Sequence, residues 1–169
     1  MLKHTSKYQC NHAYIDAANL DKGTVNLGWR VDYDRLYTWL RENHDVKRAY
    51  IFIGYISKYD NLYAKMRNAG FLVRFKDVTN DNNGQTKGNC DADLVLRAAR
   101  DVHESVFEKA VTVSSDGDFS GLVDFLIEKK KMSHIISPNK KCSIFLRSKK
   151  SPITYLNDVR NLIAVSQRA

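Results

Sequence analysis

The chain has 169 residues, 43% of them hydrophobic and 27% charged, with only 8 Gly and 2 Pro. That composition describes a globular chain of single-domain size with a real core, and it excludes a disordered or fibrous protein. The formal net charge of +8 is unevenly placed: from Lys129 to Lys150 there are eight basic residues and no acidic one, while elsewhere 19 basic residues balance 19 acidic ones. From charge alone, a polyanion-binding surface and a solvated lysine-rich face explain this excess equally well.

Apolar, β-rich runs and helix-like stretches alternate along the chain. Strands are predicted at Ala13-Tyr14-Ile15, at Ala49 to Ile53 and at Phe71 to Phe75, then at Ala110 to Val113 and at His134-Ile135-Ile136. None alternates strictly, which suits strands buried on both faces of a parallel sheet. Helices are predicted at Asp34–Asn43, Tyr59–Ala69, Asp91–Glu104 and Phe119–Lys130, each with apolar residues at three- and four-residue spacing, and a last one at Asp158–Ser166. The segment Val78–Asn89 is polar, rich in Gly and Asn and without periodicity, so it is expected to be a mobile surface loop. The alternation indicates βαβ units and a three-layer α/β/α domain around a mostly parallel sheet. One domain is expected, with a motif-bearing core at about 13–137 and a basic C-terminal extension at about 138–169.

No apolar run approaches the ~18 residues of a membrane span, and Met1-Leu2-Lys3-His4 does not open a secretory signal. A cytoplasmic protein with no membrane contact is therefore expected. Cys10, Cys90 and Cys142 form no CxxC pair, which points to reduced thiols rather than a disulfide framework or a zinc site.

In an open parallel sheet, ligands bind beyond the carboxyl ends of the strands, where the strand order reverses. Asp16 ends the first strand, Asp116 and Asp118 follow the strand at Ala110–Val113, and Asp91 and Asp93 open a helix. Carboxylates gathered from three segments repel one another unless a cation neutralises them. Oxygen-only ligands suit Mg²⁺ or Mn²⁺, and such an ion on a phosphate diester implies hydrolysis. Each acid also has a plainer reading: Asp91 as the N-cap of its helix with Asp93 in the first turn, and Asp116-Gly117-Asp118 as a turn whose last residue caps the next helix.

The segments Tyr14-Ile15-Asp16-Ala17-Ala18-Asn19-Leu20, Lys87-Gly88-Asn89-Cys90-Asp91-Ala92-Asp93-Leu94-Val95-Leu96 and Val113-Ser114-Ser115-Asp116-Gly117-Asp118-Phe119-Ser120-Gly121-Leu122 together resemble the three motifs of the NYN domain family, a branch of the PIN-like nucleases. The resemblance implies a PIN-like fold, an acidic metal-binding pocket and RNA as substrate. It carries the catalytic and metal-binding roles to Asp16, Asp91, Asp116 and Asp118, with Asn19, Asp93, Ser114 and Lys87 in support. Helical geometry sets Asp91 and Asp93 about 200° apart, so both are not expected to face one metal. The chain departs from the family in having Ser115 where a Gly is usual, and Asn89-Cys90 where Gly-Val is common.

Tyr55 and Lys58 follow the second strand on the same edge of the sheet, where a tyrosine can stack an unpaired base. From the basic segment, Lys140, Lys141 and Arg147 are candidates for phosphate contact. Trp29 and Trp39 are assigned to the core or an interface rather than to a base platform. The sequence thus points to a metal-dependent endoribonuclease using Mg²⁺ or Mn²⁺ on single-stranded or structured RNA. The alternative is an RNA-binding or scaffolding module that keeps the acidic pocket without much catalysis, and the oligomeric state stays open. A haloacid dehalogenase-type phosphatase is disfavoured because Asp16 is followed by Ala17-Ala18, and a Toprim domain because no glutamate stands at a strand end.

Overall fold

The computed structural model describes residues 10–76, 79–80, 86–87 and 90–166. The chain begins with strand β1 (Asn11–Asp16), helices α1 (Ala17–Val25) and α2 (Tyr33–His44), and strand β2 (Val46–Gly54). Helix α3 (Asp60–Ala69) and strand β3 (Leu72–Lys76) follow, then a short antiparallel pair, β4 (Thr79–Asn80) with β5 (Thr86–Lys87). Helix α4 (Asp91–His103), strand β6 (Ala110–Val113), helix α5 (Ser120–Glu128) and strand β7 (Met132–Ser137) come next. Helix α6 (Ile144–Arg147), strand β8 (Ile153–Tyr155) and helix α7 (Arg160–Ile163) complete the described elements.

Six strands form one sheet in the order β3-β2-β1-β6-β7-β8, and every neighbouring pair is parallel. Because the chain steps outward from β1 to β3 and then returns to β6 on the other side of β1, the strand order reverses between β1 and β6. Period-two alternation sorts β1 onto two cores. Ala13 and Ile15 pack with Leu20, Leu36, Leu40 and Met66 on one face, whereas Tyr14 packs with Leu94, Ala98, Leu122 and Leu126 on the other. Helices thus cover both faces, which makes the three-layer α/β/α architecture. Both tryptophans are buried in the first core, and Trp29 donates its indole N–H to Asn157 Oδ1.

The helix ends are set by local chemistry. The carboxylate of Asp16 caps α1, that of Asp32 caps α2, and Gly70, at φ 114°, ends α3 in the left-handed conformation that glycine adopts without strain. Several elements lie outside the sequence expectations. Helix α1 is short and polar, but Leu20 and Ala17 hold it on the sheet. The segment beyond Ser137 contributes a sixth strand, β8, which pairs with β7. The expected helix at Asp158–Ser166 is a 3-10 turn at Leu156–Val159 followed by the single-turn α7. Within the expected loop at Val78–Asn89, residues 79–80 and 86–87 form the β4–β5 pair, and the rest lies outside the described residues.

Candidate functional site

The reversal between β1 and β6 brings three chain segments together at the carboxyl edge of the sheet. Asp16 is the last residue of β1, Asp91 is the first residue of α4, and Asp116 and Asp118 lie on the 3-10 turn Gly117–Phe119 and its N-cap, after β6. One carboxylate oxygen each from Asp91, Asp116 and Asp118 lie within 4.8 Å of one another. The first two residues are half-buried and the third is exposed. Three hard oxygen donors at that spacing fit Mg²⁺ or Mn²⁺.

Asp16 lies outside that group of three but lines the same cleft, an open depression of about 300 Å³ with Asp91 and Asp116 in its wall. Burial raises its pKa, and the nearby charges of Asp91 and Asp116 push the same way; hydrogen bonds from Asn19 and Ser114 oppose the shift. Asp16 Oδ1 accepts from the Asn19 backbone N–H at 3.2 Å, and Oδ2 accepts from Ser114 Oγ at 3.3 Å. Ser114 Oγ in turn accepts from the Asp116 N–H at 3.1 Å, and Asp116 Oδ1 accepts from the Asp118 N–H at 3.0 Å. These bonds fix the acidic turn against the end of β1.

Asn19 completes the frame. Its Oδ1 accepts from both the backbone N–H and the hydroxyl of Ser115, at 2.8 and 3.0 Å. Ser115 is not among the residues with positive φ, so a side chain stands there without backbone strain, and its hydroxyl adds a bond that glycine lacks.

The simple capping readings of Asp91 and Asp118 give way here. The N-cap position of α4 is Cys90, without a side-chain cap bond, and that of α5 is Phe119, again without one. Asp116 is the acid that caps its own 3-10 turn. Asp93 stands apart from the group of three: it is exposed and pairs with Lys76 at 3.6 Å. For Lys87 the backbone lies in β5, and the side chain is outside the described residues.

The outer candidates are more dispersed. Tyr55 is exposed, but its ring packs 5.3 Å from Phe75 and 5.8 Å from Tyr63, and a hydrogen bond to Asp60 raises its pKa. Lys58 sits over the ring of Tyr59. Lys140 pairs with Asp158 at 3.4 Å, whereas Lys141 and Arg147 are exposed and enter no salt bridge among the described residues. Lys129 to Lys131 lie at the opposite edge of the sheet, where the Lys131 carbonyl accepts from the N–H of Ala110 at the start of β6.

Lys22 is a cation that the sequence reading passed over. It lines the acidic cleft from the last turn of α1. Its signal is the spacing of Asp16, Asn19 and Lys22, three residues apart, which becomes one helix face once Asp16 is seen as an N-cap.

A sequence model of the NYN domain matches residues 13–157. The fold is similar to the crystal structure of a protein of unknown function from Vibrio parahaemolyticus, with a TM-score of 0.74 at 17% identity, over 95% of this chain and 99% of that one. No curated protein matches the chain. Among the described residues, no helix is long and apolar enough to cross a membrane.

Proposed function

The chain belongs to the NYN domain family, a branch of the PIN-like nucleases, and from that premise we propose that it is a metal-dependent endoribonuclease that hydrolyses RNA phosphodiester bonds in the cytoplasm. The observation that carries this reading is the convergence of Asp91, Asp116 and Asp118, with oxygens within 4.8 Å, at the reversal of strand order.

In this reading Asp91, Asp116 and Asp118 hold Mg²⁺ or Mn²⁺, and Asp16 adds a fourth carboxylate from the cleft wall. The ion, when bound, supplies water activation and charge stabilisation at the leaving oxygen. The remaining work belongs to the chain. Ser114 and Asn19 keep the acidic turn in one geometry, so little reorganisation is needed as charge develops. Lys22, the basic residue in the cleft wall, draws a backbone phosphate toward the carboxylates. The cleft is open enough to admit a strand laid across it.

The test is cleavage of a panel of single-stranded and hairpin RNAs in Mg²⁺ and in Mn²⁺. Expected is product formation that stops with EDTA and in Asp116→Asn. Cleavage that survives in Asp116→Asn rejects the assignment. Binding without product under either ion identifies an RNA-binding module in its place.

A further inference from the structure

Helix α6 is a single turn in the basic segment, and its three apolar residues part company. Leu146 is buried against Val123, Ile135 and Cys142, whereas Ile144 and Phe145 are 66% and 64% exposed. Among the large apolar side chains of the described residues these two are the most exposed, and they are adjacent. The two adjacent side chains, kept largely in water, form a small apolar patch on this segment.

Their place in the fold is specific. The Ser143 N–H donates to the Ser115 carbonyl at 3.0 Å, and Ser143 Oγ caps α6 by accepting from the Phe145 N–H. The close approach is at Gly117: a Cβ there would lie 2.5 Å from Ser143 Oγ and 3.1 Å from Phe145 Cδ2. The Phe145 ring therefore comes close, at Cδ2, to the glycine between Asp116 and Asp118. It makes no ring–ring or cation–ring contact among the described residues, unlike Tyr55, which is engaged by Phe75 and Tyr63. In sequence, Lys141 stands four residues before it and Arg147 two after it, both exposed and without a carboxylate partner among the described residues.

We infer that Phe145, with Ile144 beside it, is the stacking platform for an unpaired base of a single-stranded RNA whose backbone crosses the Asp116–Asp118 turn. The proposal rests on the ribonuclease reading and adds to it the conformation of the substrate. An exposed aromatic ring beside the reacting phosphate, on a segment that also carries exposed cations, is the combination that holds single strands without reading their sequence. A paired base keeps both faces in its own stack, so a duplex gains nothing from the ring.

The experiment compares the wild type, Phe145→Ala and Phe145→Trp. Affinity for a labelled single-stranded RNA of mixed sequence is measured by anisotropy in EDTA, and cleavage of the same RNA is measured in Mn²⁺. Phe145→Ala is expected to weaken binding by roughly 5- to 100-fold, the loss of about one base stack, with an unchanged melting temperature because the ring is exposed. Phe145→Trp is expected to keep affinity, and its emission to be quenched at saturation, against the buried Trp29 and Trp39. Wild-type affinity in Phe145→Ala, or unquenched emission from a saturated Phe145→Trp, overturns the platform while leaving the nuclease reading intact. A wild type that neither binds nor cleaves removes both. Loss of a sedimentation dimer in Phe145→Ala, with RNA affinity unchanged, assigns the ring to a second copy of the chain and likewise overturns the platform.

Discussion

The backbone N–H of Ser143 donates to the carbonyl of Ser115 at 3.0 Å, so the basic segment after β7 is built onto the turn that carries Asp116 and Asp118. A second tie runs to α1, where Asn139 Nδ2 donates to the Gly23 carbonyl at 2.9 Å and a Cβ at position 23 would lie 2.5 Å from Pro138 Cβ. The positive excess of the sequence is thereby divided. Lys140, Lys141 and Arg147 belong to the segment beside the acidic turn, whereas Lys129 to Lys131 are at the other end of the strands.

Gly117→Ala should break the first tie. The added methyl meets Ser143 Oγ at 2.5 Å and Phe145 Cδ2 at 3.1 Å, so the hydroxyl must turn out of its cap on α6 and the ring must give way. The expected cost is about 1–3 kcal/mol, the usual range for overpacking. Urea unfolding checks it, and RNA affinity should fall with it because Phe145 moves away from the turn. A stability equal to that of the wild type would show that α6 yields freely.

Asp16→Asn and Asp116→Asn should separate activity from stability. Both are expected to abolish cleavage, yet neutralising either one relieves repulsion among converging carboxylates, and for Asp16 also the cost of burying a charge. Without divalent ions, each variant should melt about 2–4 °C above the wild type, as ~1 kcal/mol does in a domain of this size. Mn²⁺ should raise the wild-type melting temperature more than that of Asp116→Asn. Equal metal-induced shifts in the two proteins would place the ion elsewhere.

Lys22→Ala removes the cation from the cleft wall without touching the core, since the residue is exposed. RNA affinity should drop about 3- to 10-fold and the dependence of binding on salt should become shallower by about one charge. An unchanged salt slope would mean that Lys22 meets no phosphate.

The architecture was legible because β1, β2, β6 and β7 are near-continuous apolar runs, two of which, β1 and β6, lead into carboxylates. Strand-end acids on either side of a crossover are brought together by topology alone. What the sequence concealed follows from weak local signals. Helix α1 carries only a few apolar positions and includes Gly23, so Lys22 had no helix to stand on. The run Ile144-Phe145-Leu146 looks like core, but only Leu146 is buried. Strand β8 is three residues long and gains its place from pairing with β7; in isolation Ile153-Thr154-Tyr155 is too short to read as a strand. Ser115, where the family resemblance leads one to expect glycine, stands at a backbone position without a left-handed conformation.

Asp101 anchors the far end of α4. It is fully buried and accepts from the Tyr14 hydroxyl at 2.8 Å, with Arg97 Nη2 at 3.0 Å and His12 Nδ1 at 3.5 Å. Asp91 lies ten residues away on the same helix, about 15 Å at 1.5 Å per residue. Asp101→Ala leaves the buried Tyr14 hydroxyl without its acceptor and Arg97 without its carboxylate, and should cost about 3 kcal/mol. Arg97 reaches solvent, which keeps the loss at the low end. Because the helix also carries Asp91, Mn²⁺ affinity should weaken in the same variant. Intact metal affinity in a destabilised but folded Asp101→Ala would uncouple the two ends of α4.

His44 should make the fold sensitive to mild acid. It is buried at the end of α2, with its ring 4.9 Å from that of Trp39 and 4.7 Å from that of His134, and its Nδ1 has no hydrogen-bond partner among the described residues. Burial, assisted by the charge of His134, lowers its pKa to about 4. In the unfolded chain the same imidazole titrates near 6.5, so between the two values the unfolded state holds more protons than the folded one. Stability from this group is complete above pH 6.5 and is lost as the pH falls from there toward 4, by roughly 3 kcal/mol in all. Asp16 works in the opposite direction, since its raised pKa favours the folded state as acid protonates it. The difference between the wild type and His44→Gln cancels that contribution. Melting temperatures measured from pH 7 to 4 should therefore fall more steeply in the wild type than in His44→Gln, and parallel profiles would show that His44 takes up its proton without unfolding.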